Sequence, residues 1–361
     1  MAVGKGKEVS IYGAGLSGMV AGINLARQGY RVVIIDRESA IGGSRDVHPS
    51  VHTTPLQPKQ TWDYIGIDLS KYFVATDTYP AFWYNSRSIT MPPYVHNTKA
   101  YDVERGPRPT SIDHYLQKLA LEAGVEFKFK RELTPDELRQ APAGSIIATG
   151  LYKEVYELVG VKYSSTYGYS STMSWKEGVS HGAIYMGSFS VDYGYTAALN
   201  GLIYALLFSR NPLSERDLER FKKVLKDVHG IDFPRWHTFL GYFPRETKLL
   251  WNDKILAGTL SGMIDPFWGY GIVGALLSGK VASLAVTDPQ KAKADFERFN
   301  GGFAKKLARK EKMDSMPFNK QLLRLAFLKA RFDCWRSPEL CKAVKEPMRW
   351  FHEEKAAGRS V

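Results

Sequence analysis

The spacing of apolar residues at the start of the chain predicts a strand, a helix and a second strand in close succession. The first strand covers residues 7–12, the helix 16–28 and the second strand 30–35. Short continuous apolar runs suit buried strands, whereas apolar residues three and four apart suit a helix. Because two strands joined by a helix normally pair in parallel, the pattern indicates a parallel sheet with helices on its faces.

Less regular patterns divide the rest of the chain into regions of different character. The segment 43–109 is rich in Pro, Tyr, Thr and Asn, which predicts loops with a few strands. The segment 151–250 is aromatic and strand-prone, and the segment 291–354 is basic and helical. The other predicted elements are a helix at 111–123 with Ser111 as N-cap and Gly124 as its stop, strands at 125–130 and 144–149, helices at 196–209 and 214–228, a strand after Trp236, and a glycine-rich stretch that becomes helical within 258–283.

The composition is that of a globular protein. Of the 361 residues, 44% are hydrophobic and 24% are charged, so large-scale disorder is not expected. The apolar runs are too short for a membrane-spanning helix, and the opening residues suit a folded strand better than a signal peptide. Only Cys334 and Cys341 are present, without the spacing of a disulfide framework or a metal site. We therefore expect a cytoplasmic protein without a bound metal.

The net charge of +12 points to an acidic partner or surface. A nucleic-acid-binding protein would combine clustered basic residues with a recognisable module, and the sequence contains none, so no nucleic acid is expected as a partner. Much of the excess falls after residue 290. Anionic lipid or an acidic protein is the better interpretation.

A glycine turn between the first strand and the first helix carries the strongest functional signal. Gly13, Gly15 and Gly18 form the pattern G-x-G-x-x-G. The first glycine allows a tight turn, the second lets the backbone approach a pyrophosphate, and the third lets helix and strand pack closely. The helix N-terminus adds N–H donors and positive potential. Asp36 ends the second strand, where a carboxylate can bind the ribose hydroxyls of an adenosine, so a dinucleotide site is predicted, with NAD and FAD both open.

The residues that follow Asp36 resemble those of a known family. Arg37 is followed by a loop with the paired glycines Gly42 and Gly43. This arrangement is similar to that of the FAD superfamily that includes para-hydroxybenzoate hydroxylase, geranylgeranyl reductases and amine oxidases. In that superfamily the paired-glycine loop runs beside the cofactor. The resemblance implies that the dinucleotide is FAD.

Two later segments carry the same resemblance. Residues 145–150 end in Ala-Thr-Gly, which is similar to the family's strand that returns the chain to the adenosine end of FAD. Residues 101–125 resemble the segment in which an Arg precedes a helix ending in Ala-Gly-Val. Arg105 is the best match to that Arg, with Arg108 as the alternative.

The segment 255–272 resembles the flavin end of the site in geranylgeranyl reductases and aromatic hydroxylases. The positions that fit the family pattern G-D-A-A-G-x-x-x-P-x-x-G-x-G-I are Gly262, Pro266, Gly269, Gly271 and Ile272. Backbone N–H groups at a helix start here can face the flavin pyrimidine, where negative charge develops on reduction. Thr259 stands where the family has an Asp that contacts the ribityl chain, so that contact falls to Thr259 or to a water.

The resemblance implies an α/β fold in three parts: a Rossmann-like FAD-binding domain of parallel strands flanked by helices, an inserted β-rich substrate domain, and a helical C-terminal extension. We predict a discontinuous FAD-binding domain from residues 1–75, 100–150 and 251–290, a substrate domain from 76–99 and 151–250, and a basic helical region from 291–361. The residues placed at FAD are Gly13, Gly15, Leu16, Ser17, Gly18, Asp36, Arg37, Gly42, Gly43, Ser44, Arg45, Arg105, Ala148, Thr149, Gly150, Thr259, Asp265, Gly269, Tyr270, Gly271 and Ile272.

The sequence contains one dinucleotide fingerprint, so we expect no second Rossmann domain for a nicotinamide cofactor. The electron donor is then transiently bound NAD(P)H, a redox protein or the substrate itself. The resemblance favours a geranylgeranyl-reductase-like enzyme that transfers hydride from flavin N5 to a carbon–carbon double bond of a hydrophobic or lipid-like substrate, or that dehydrogenates such a substrate. The alternatives are an aromatic monooxygenase that uses NAD(P)H and oxygen, and a non-catalytic flavin-binding protein.

His48, His52 and Tyr270 are the candidate catalytic residues. The two histidines follow the paired-glycine loop and can lie near the flavin ring as proton donors, or can bond loop carbonyls instead. Pro49 excludes the helical spacing that a metal-binding pair would need. Tyr270, or Asp265 as an alternative, can protonate a carbon during a reduction. The aromatic residues expected to line a hydrophobic pocket are Tyr242, Phe267 and Trp268, although aromatic packing within a core explains them equally well.

The predicted C-terminal helix mixes apolar and basic residues. The apolar set is Leu322, Leu323, Leu325, Phe327, Leu328 and Phe332, and the basic set is Lys320, Arg324, Lys329 and Arg331. A helix of this composition can lie on an anionic membrane surface as a peripheral contact at the inner face of the membrane. It can equally pack on the body of the protein or at a dimer interface.

Overall fold

The computed structural model describes residues 6–43, 47–76, 81–89, 100–336 and 350–351. Ser44 and Arg45, which the resemblance places at FAD, lie outside the described residues, as does Cys341. The strands are β1 Glu8–Tyr12, β2 Arg31–Ile35, β3 Ser50–Pro55, β4 Phe73–Ala75, β5 Ala81–Tyr84, β6 Arg87–Ile89, β7 Ala100–Arg105, β8 Glu126–Lys128, β9 Ile146–Ile147, β10 Tyr163–Ser174, β11 His181–Met186, β12 Tyr193–Leu199, β13 Leu202–Ser209, β14 His237–Pro244, β15 Leu250–Trp251 and β16 Lys254–Leu256. The helices are α1 Leu16–Ala26, α2 Pro58–Ile65, α3 Ile112–Glu122, α4 Pro135–Gln140, α5 Lys153–Val159, α6 Glu215–His229, α7 Ile272–Thr287, α8 Pro289–Asn300, α9 Phe303–Asp314 and α10 Asn319–Arg336.

The first sheet confirms the predicted parallel arrangement. Its strand order is β15-β16-β9-β1-β2-β8, and all of its pairs except β15–β16 are parallel. Tyr12 pairs with Ile35 on one side and with Ile147 on the other, and Ile147 also pairs with Leu256. Because these residues close their strands, the carboxyl ends of β1, β2, β9 and β16 meet at one edge of the sheet. This edge is where ligands bind in open parallel sheets.

The second sheet is built mainly from antiparallel pairs. Its strand order is β14-β10-β13-β12-β11-β5-β6, with β11 and β5 parallel and the other pairs antiparallel. Helix α6 covers one face, where Phe221 and Leu225 join the buried cluster of this sheet. A small third sheet, β3-β7-β4, packs against the second sheet, since β3 contacts both β12 and β13.

The helix predicted at 196–209 is wrong, because this segment forms the strands β12 and β13. Asn200 and Gly201 join them with φ values of 51° and 71°, and the pairing of Leu199 with Leu202 closes a two-residue hairpin. Two consecutive positive φ angles at Asn-Gly are the signature of a tight hairpin turn. The long apolar run on either side of that turn is as compatible with a buried strand as with a buried helix.

Two short helices interrupt regions that were expected to consist of loops and strands. Helix α2 begins at Pro58 in the segment 43–109, and Pro at the first helical position is a common start because it needs no N–H partner there. Helix α5 lies in the aromatic segment 151–250 and ends at Gly160, whose φ is 67°. The predictions of α3 and α6 are confirmed, with the side chains of Ser111 and Ser214 capping their N-termini.

The C-terminal segment is helical as predicted over α8, α9 and α10. Trp350 and Phe351 return to the first part of the fold, where the backbone N–H of Phe351 donates to Oε1 of Gln57 and its carbonyl accepts from Nε2 of the same residue. Among the described residues, no helix combines the length and the apolar character needed to cross a bilayer.

Candidate functional site: a glycine cradle and a hydrogen-bonded relay

In the turn after β1, two glycines lie so close to neighbouring backbone atoms that neither position can carry a side chain. Gly13 has a φ of 114°, and a Cβ there would lie 2.3 Å from the carbonyl oxygen of Ala148. A Cβ at Gly18 would lie 2.0 Å from the carbonyl oxygen of Gly13. Both distances are far inside van der Waals contact, so these positions require glycine. The turn is therefore held tightly against the end of β9.

Gly15 differs from the other two glycines because it faces open space. A Cβ at Gly15 would meet no heavy atom within 4 Å. Gly15 is the N-cap of α1, and no side chain caps this helix, whose residues Leu16, Ser17 and Gly18 are all buried. The first-turn N–H groups of α1 thus point, without a capping side chain, toward a space that the protein itself leaves open. A helix start of this kind can bind the oxygens of a phosphate.

Asp36 stands at the edge of this cradle and organises it. One carboxylate oxygen accepts from the N–H of Ala14 at 2.6 Å, and the other accepts from the N–H of Glu38 at 2.8 Å. Each oxygen of a carboxylate can accept more than one hydrogen bond. Asp36 can therefore hold the turn and still accept from ribose hydroxyls, as the sequence predicts. Next to it, the guanidinium of Arg37 lies 3.6 Å from the ring centroid of Tyr152.

Two distant segments of the chain complete the cradle. The N–H of Ala148 donates to the carbonyl of Tyr12, which sets the Ala148-Thr149-Gly150 segment against the glycine turn. The hydroxyl of Thr149 is buried and has no hydrogen-bond partner. A Cβ at Gly258 would lie 2.7 Å from Oγ of Ser17, so the residue before Thr259 touches the start of α1. The structure thus brings together the glycine turn, residues 148–150 and Thr259.

A second group of predicted residues meets around the paired glycines. Gly42 has a φ of 108°, and a Cβ there would lie 2.4 Å from the N of Pro107. A Cβ at Gly43 would lie 3.1 Å from Cδ2 and 3.5 Å from Nε2 of His48. The paired-glycine loop therefore packs directly on the segment 105–107 and on the ring of His48.

Arg105 is bound by a buried carboxylate. Its Nε and Nη2 donate to the two oxygens of Asp113 at 2.7 and 2.9 Å, and the N–H of Gly106 donates to the same carboxylate at 2.9 Å. Burial raises the pKa of Asp113, but the adjacent Arg105 guanidinium outweighs it and leaves that pKa below its ordinary value. Arg105 is thus a fixed positive charge beside the paired-glycine loop. Arg108, the alternative match, donates instead to the carbonyl of Asn200 in the second sheet.

A chain of hydrogen bonds links His48 to the second sheet. Nδ1 of His48 lies 2.7 Å from Oγ of Ser50, which lies 2.9 Å from Nε2 of His52. Nδ1 of His52 lies 2.7 Å from the hydroxyl of Tyr195 on β12. Ser50 is fully buried. We call His48, Ser50, His52 and Tyr195 the relay, because each member can both donate and accept a hydrogen bond.

All members of the relay are neutral at neutral pH. Burial, with the positive charge of Arg105 as a second cause, lowers the pKa of His48 to about 4 and that of His52 to about 3. Burial also raises the pKa of Tyr195 well above its ordinary value. A neutral imidazole carries one N–H and one acceptor nitrogen, so protons can shift along the relay in either direction without creating a buried net charge.

The predicted flavin-end loop is folded around Asp265. This residue is buried, and one of its oxygens accepts from the N–H groups of Phe267 at 2.9 Å and Trp268 at 2.7 Å. Its other oxygen lies 3.4 Å from Nζ of Lys306 on α9. Burial raises the pKa of Asp265 in spite of these partners. The side chain of Asp265 therefore serves the loop backbone, and the loop leads into α7, whose N-cap Gly271 leaves the helix start without a side-chain cap.

Phe267, Trp268 and Tyr270 lie together against the second sheet. Their aromatic cluster includes the buried residues Phe82, Ile184, Met186 and Tyr193 and the half-buried Tyr195. The hydroxyl of Tyr193 donates to the carbonyl of Trp268, which fastens the loop to β12. Tyr242 is not part of this cluster, since its ring packs 5.4 Å from that of Tyr163 in another buried cluster. Phe267 and Trp268 can line one pocket, but Tyr242 lies with a separate set of residues.

Ser50 and Tyr195 are absent from the residues singled out in the sequence. Ser50 alternates with His48 and His52 on one side of the chain entering β3, so the spacing H-x-S-x-H signals that all three side chains share a face. The contact of Tyr195 with His52 becomes apparent only from the packing of β3 against β12. Tyr195 directly precedes the segment 196–209, for which a helix was predicted, and the structure instead places it on β12.

Comparisons with known proteins match the start of the chain by sequence and nearly the whole chain by fold. Residues 11–57 match the NAD(P)-binding Rossmann-like domain family. The flavin-containing monooxygenase FMO GS-OX4 of Arabidopsis thaliana is 30% identical over 135 residues, which are 35% of this chain and 27% of that protein. The chain thus spans about a quarter of the length of this curated relative.

Two solved structures match nearly the whole chain. A geranylgeranyl bacteriochlorophyll reductase-like protein from Thermoplasma acidophilum has a TM-score of 0.66 at 18% identity, covering 96% of this chain and all of the other. The p-nitrophenol 4-monooxygenase of Pseudomonas putida has a TM-score of 0.63 at 16% identity, covering 95% and 98%. The chain therefore shares the fold of these two proteins.

Proposed function

We propose that this protein is an FAD-dependent oxidoreductase that reduces, or in reverse dehydrogenates, a carbon–carbon double bond in a hydrophobic substrate. The observation that carries the FAD assignment is the open cradle at Gly15, beside two glycines that tolerate no side chain. The uncapped start of α1 and the unpartnered hydroxyl of Thr149 lie at the same edge of the first sheet. These residues fit a pyrophosphate with an adenosine beyond it, and Asp36 and Arg37 stand where the adenosine would lie.

The uncapped start of α7 suits the other end of the cofactor. Backbone N–H groups at Ile272 and Val273 begin that helix after Gly271, and positive potential at a helix start stabilises negative charge on a nearby ring. Thr259 lies beside this helix start, since a Cβ at Gly271 would be 3.9 Å from its hydroxyl oxygen. Thr259 can therefore bind a ribityl hydroxyl in place of the Asp that the related pattern carries.

FAD, when bound, accepts and donates electron pairs at its ring, and the protein must manage the accompanying proton. The relay supplies this function with residues of the chain alone. His48 lies against the paired-glycine loop, and Tyr195 lies in the aromatic cluster with Phe267, Trp268 and Tyr270. A proton accepted at one end of the relay is matched by a proton released at the other, through Ser50 and His52. The aromatic cluster offers an apolar surface to a hydrophobic substrate.

An aromatic monooxygenase is the second candidate, and the comparisons favour it to a similar degree. The sequence relative is named a flavin-containing monooxygenase, and one of the structural neighbours is a p-nitrophenol 4-monooxygenase. A neutral histidine relay that ends on Tyr195 can also remove a proton from a phenol. The electron donor of the monooxygenase would be NAD(P)H. The electron donor of the reductase would be NAD(P)H or a redox protein.

Purification followed by anaerobic reduction tests these functions in order. We expect the protein to bind FAD, to be bleached by NAD(P)H or a reduced redox protein, and to be reoxidised without oxygen by an unsaturated lipid-like substrate. Rapid oxygen consumption with a hydroxylated product would instead support the monooxygenase. Protein that is colourless and does not bind added FAD would overturn both proposals. A bound flavin that no donor reduces would support a non-catalytic flavin-binding role.

A further inference from the structure

Helix α10 places two basic side chains against the rest of the protein. Lys320 is only 8% exposed, and its Nζ donates to the carbonyl of Asp192, the residue before β12. The guanidinium of Arg324, one turn later, lies 5.3 Å from the ring centroid of Tyr84. Charged side chains therefore hold this helix to the protein. The usual arrangement places the apolar side of a helix inward and the charged side outward.

The outward side of α10 carries large apolar residues. Leu322, Leu325, Leu328 and Phe332 are exposed by 45%, 59%, 41% and 56%. At about 100° per residue these four fall within an arc of about 120° on one side of the helix. Phe318, just before the helix, is 73% exposed. Gln321, Lys329 and Arg336 are exposed within the same arc, so this face combines apolar residues with cations. Single exposed apolar residues are ordinary, but four large ones on one helix face indicate an interaction surface.

The same part of the chain is strongly basic. The segment 303–336 has ten Lys and Arg residues and three Asp and Glu residues, so it contributes seven of the twelve net positive charges of the protein. Lys305, Arg309 and Lys312 lie at helical spacings of four and three on α9, and all three are exposed. Arg336 at the end of α10 is also exposed. An apolar helix face accompanied by exposed cations complements an anionic lipid surface.

We propose that the outward face of α10, defined by Leu322, Leu325, Leu328 and Phe332, binds the surface of an anionic membrane. The four apolar side chains enter the boundary between headgroups and acyl chains, while the cations of α9 and Arg336 bind the headgroups. The protein is then a peripheral membrane protein, with α10 lying flat on the bilayer. This inference concerns a surface outside the glycine cradle and the relay, and it stands independently of the flavin chemistry.

Co-sedimentation with lipid vesicles tests this surface on the full chain. The probe is phosphatidylcholine vesicles with about 30 mol% phosphatidylglycerol, compared with pure phosphatidylcholine vesicles. We expect binding to the anionic vesicles, weaker binding at high salt because exposed charges are screened, and at least about tenfold weaker binding for Leu325→Glu. Leu121→Glu is the matched control, because Leu121 is 55% exposed and lies on α3. This variant should bind as the wild type does.

Three outcomes would overturn the proposal: no binding of the wild type to anionic vesicles, unchanged binding of Leu325→Glu, or equal loss in Leu121→Glu. A dimer that Leu325→Glu dissociates, with no vesicle binding, would also overturn it and assign the face to a second copy. Thermal unfolding and FAD content of each variant show whether it is folded. Because FAD content is measured separately, failure of vesicle binding and failure of the proposed flavin function remain distinguishable.

Discussion

The hydroxyl of Tyr195 lies 2.7 Å from Nδ1 of His52. This contact joins the second sheet to the segment that follows the paired glycines, and it makes Tyr195 the end of a chain of hydrogen bonds that starts at His48. Ser50 lies in the interior of that chain of hydrogen bonds. Replacing its side chain breaks the chain with the smallest change in side-chain volume.

Replacing Ser50 by Ala should interrupt the relay. Loss of the hydroxyl removes the hydrogen bonds to both histidines, so a proton cannot pass between them. We expect turnover to fall about a hundredfold, at the lower end of general acid–base effects, and the pH profile and solvent isotope effect to change, while FAD content stays the same. Steady-state kinetics in H2O and D2O measure these effects.

Two further variants separate a relay role from a packing role. Ser50→Thr restores the hydroxyl and should recover part of the activity. Ser283→Ala removes another fully buried hydroxyl, one that donates to the carbonyl of Lys280 within α7, and should leave turnover unchanged. Equal losses in Ser50→Ala and Ser283→Ala would show that the relay carries no proton.

Gly15→Ala should remove FAD without unfolding the protein. The backbone of Gly15 has a φ of −77°, which any residue can adopt, and the added methyl group enters the open cradle. We expect FAD content to fall at least about tenfold, since the methyl group takes the space of the pyrophosphate, with little change in the thermal midpoint of the cofactor-free protein. Visible flavin absorbance and thermal unfolding provide the two measurements.

Variants of two other glycines serve as controls for Gly15→Ala. Gly302→Ala is the control, because Gly302 is also a helix N-cap with a negative φ, and its added Cβ would meet only Cε of Lys306 at 3.8 Å. Gly18→Ala should instead destabilise the fold, because its Cβ would lie 2.0 Å from a backbone oxygen. A Gly15→Ala protein with full FAD content would contradict the assignment of the cradle.

The histidines of the relay should make stability depend on pH. Burial lowers the folded-state pKa of His52 to about 3 and of His48 to about 4, whereas an unfolded histidine titrates near 6.5. As the pH falls below about 6.5, the unfolded chain binds protons that the folded chain does not. Each histidine therefore lowers the free energy of unfolding by about 1.4 kcal/mol per pH unit as the pH falls toward its folded-state pKa.

Comparing variants isolates this contribution from the rest of the protein. Burial raises the pKa of Asp102 to about 7, which acts in the opposite direction over the same range. His52→Gln should therefore be compared with the wild type at pH 7 and pH 5 by urea unfolding, and should show a smaller loss of stability on acidification. The exposed His237→Gln should show the wild-type loss. If all three proteins lost the same stability on acidification, the result would rule out a buried, neutral His52 in the folded protein.

Lys310→Met should destabilise the attachment of the C-terminal helices. Nζ of Lys310 lies 2.9 Å from a carboxylate oxygen of Asp192, and both side chains are buried. Removing one member of a buried ion pair leaves the other charge without full compensation, so we expect a loss of about 3 kcal/mol in the free energy of unfolding. Denaturant unfolding measures it, with the exposed Lys305→Met on the same helix as the control. Equal stabilities for the two variants would contradict the structural role of the pair.

Much of the first sheet and its cradle could be predicted from the sequence. Gly13, Gly15 and Gly18 combine with a strand, a helix and Asp36 at fixed spacings, and those spacings follow from local geometry. The meeting of this turn with Ala148 was also predictable, because the resemblance to the FAD superfamily places residues 145–150 at the adenosine end, whereas its contact with Gly258 was not foreseen. The roles of these residues toward FAD stay predictions that the Gly15 variants test.

The relay was only half visible in the sequence. His48 and His52 stood out as titratable residues after the paired glycines, but Tyr195 reaches them only because β12 is a strand. The Asn200-Gly201 pair indicates a hairpin turn and therefore a strand on either side of it. The apolar residues around this pair fit a helix equally well, so they did not distinguish the two. The orientation of α10 was likewise invisible, since composition does not tell which side of a helix faces the protein.

The strand order of the first sheet has a consequence for the order in which the protein can assemble. Strands β12 and β13 are adjacent in the chain and can pair as soon as both leave the ribosome. Strand β1 instead pairs with β9, and β9 pairs with β16, so the glycine turn gains its neighbour Ala148 first and its neighbour Gly258 only after more than two thirds of the 361 residues have been synthesised. Contacts between distant parts of a chain form slowly. A nascent chain can therefore complete its cradle only after every strand of the second sheet has been synthesised.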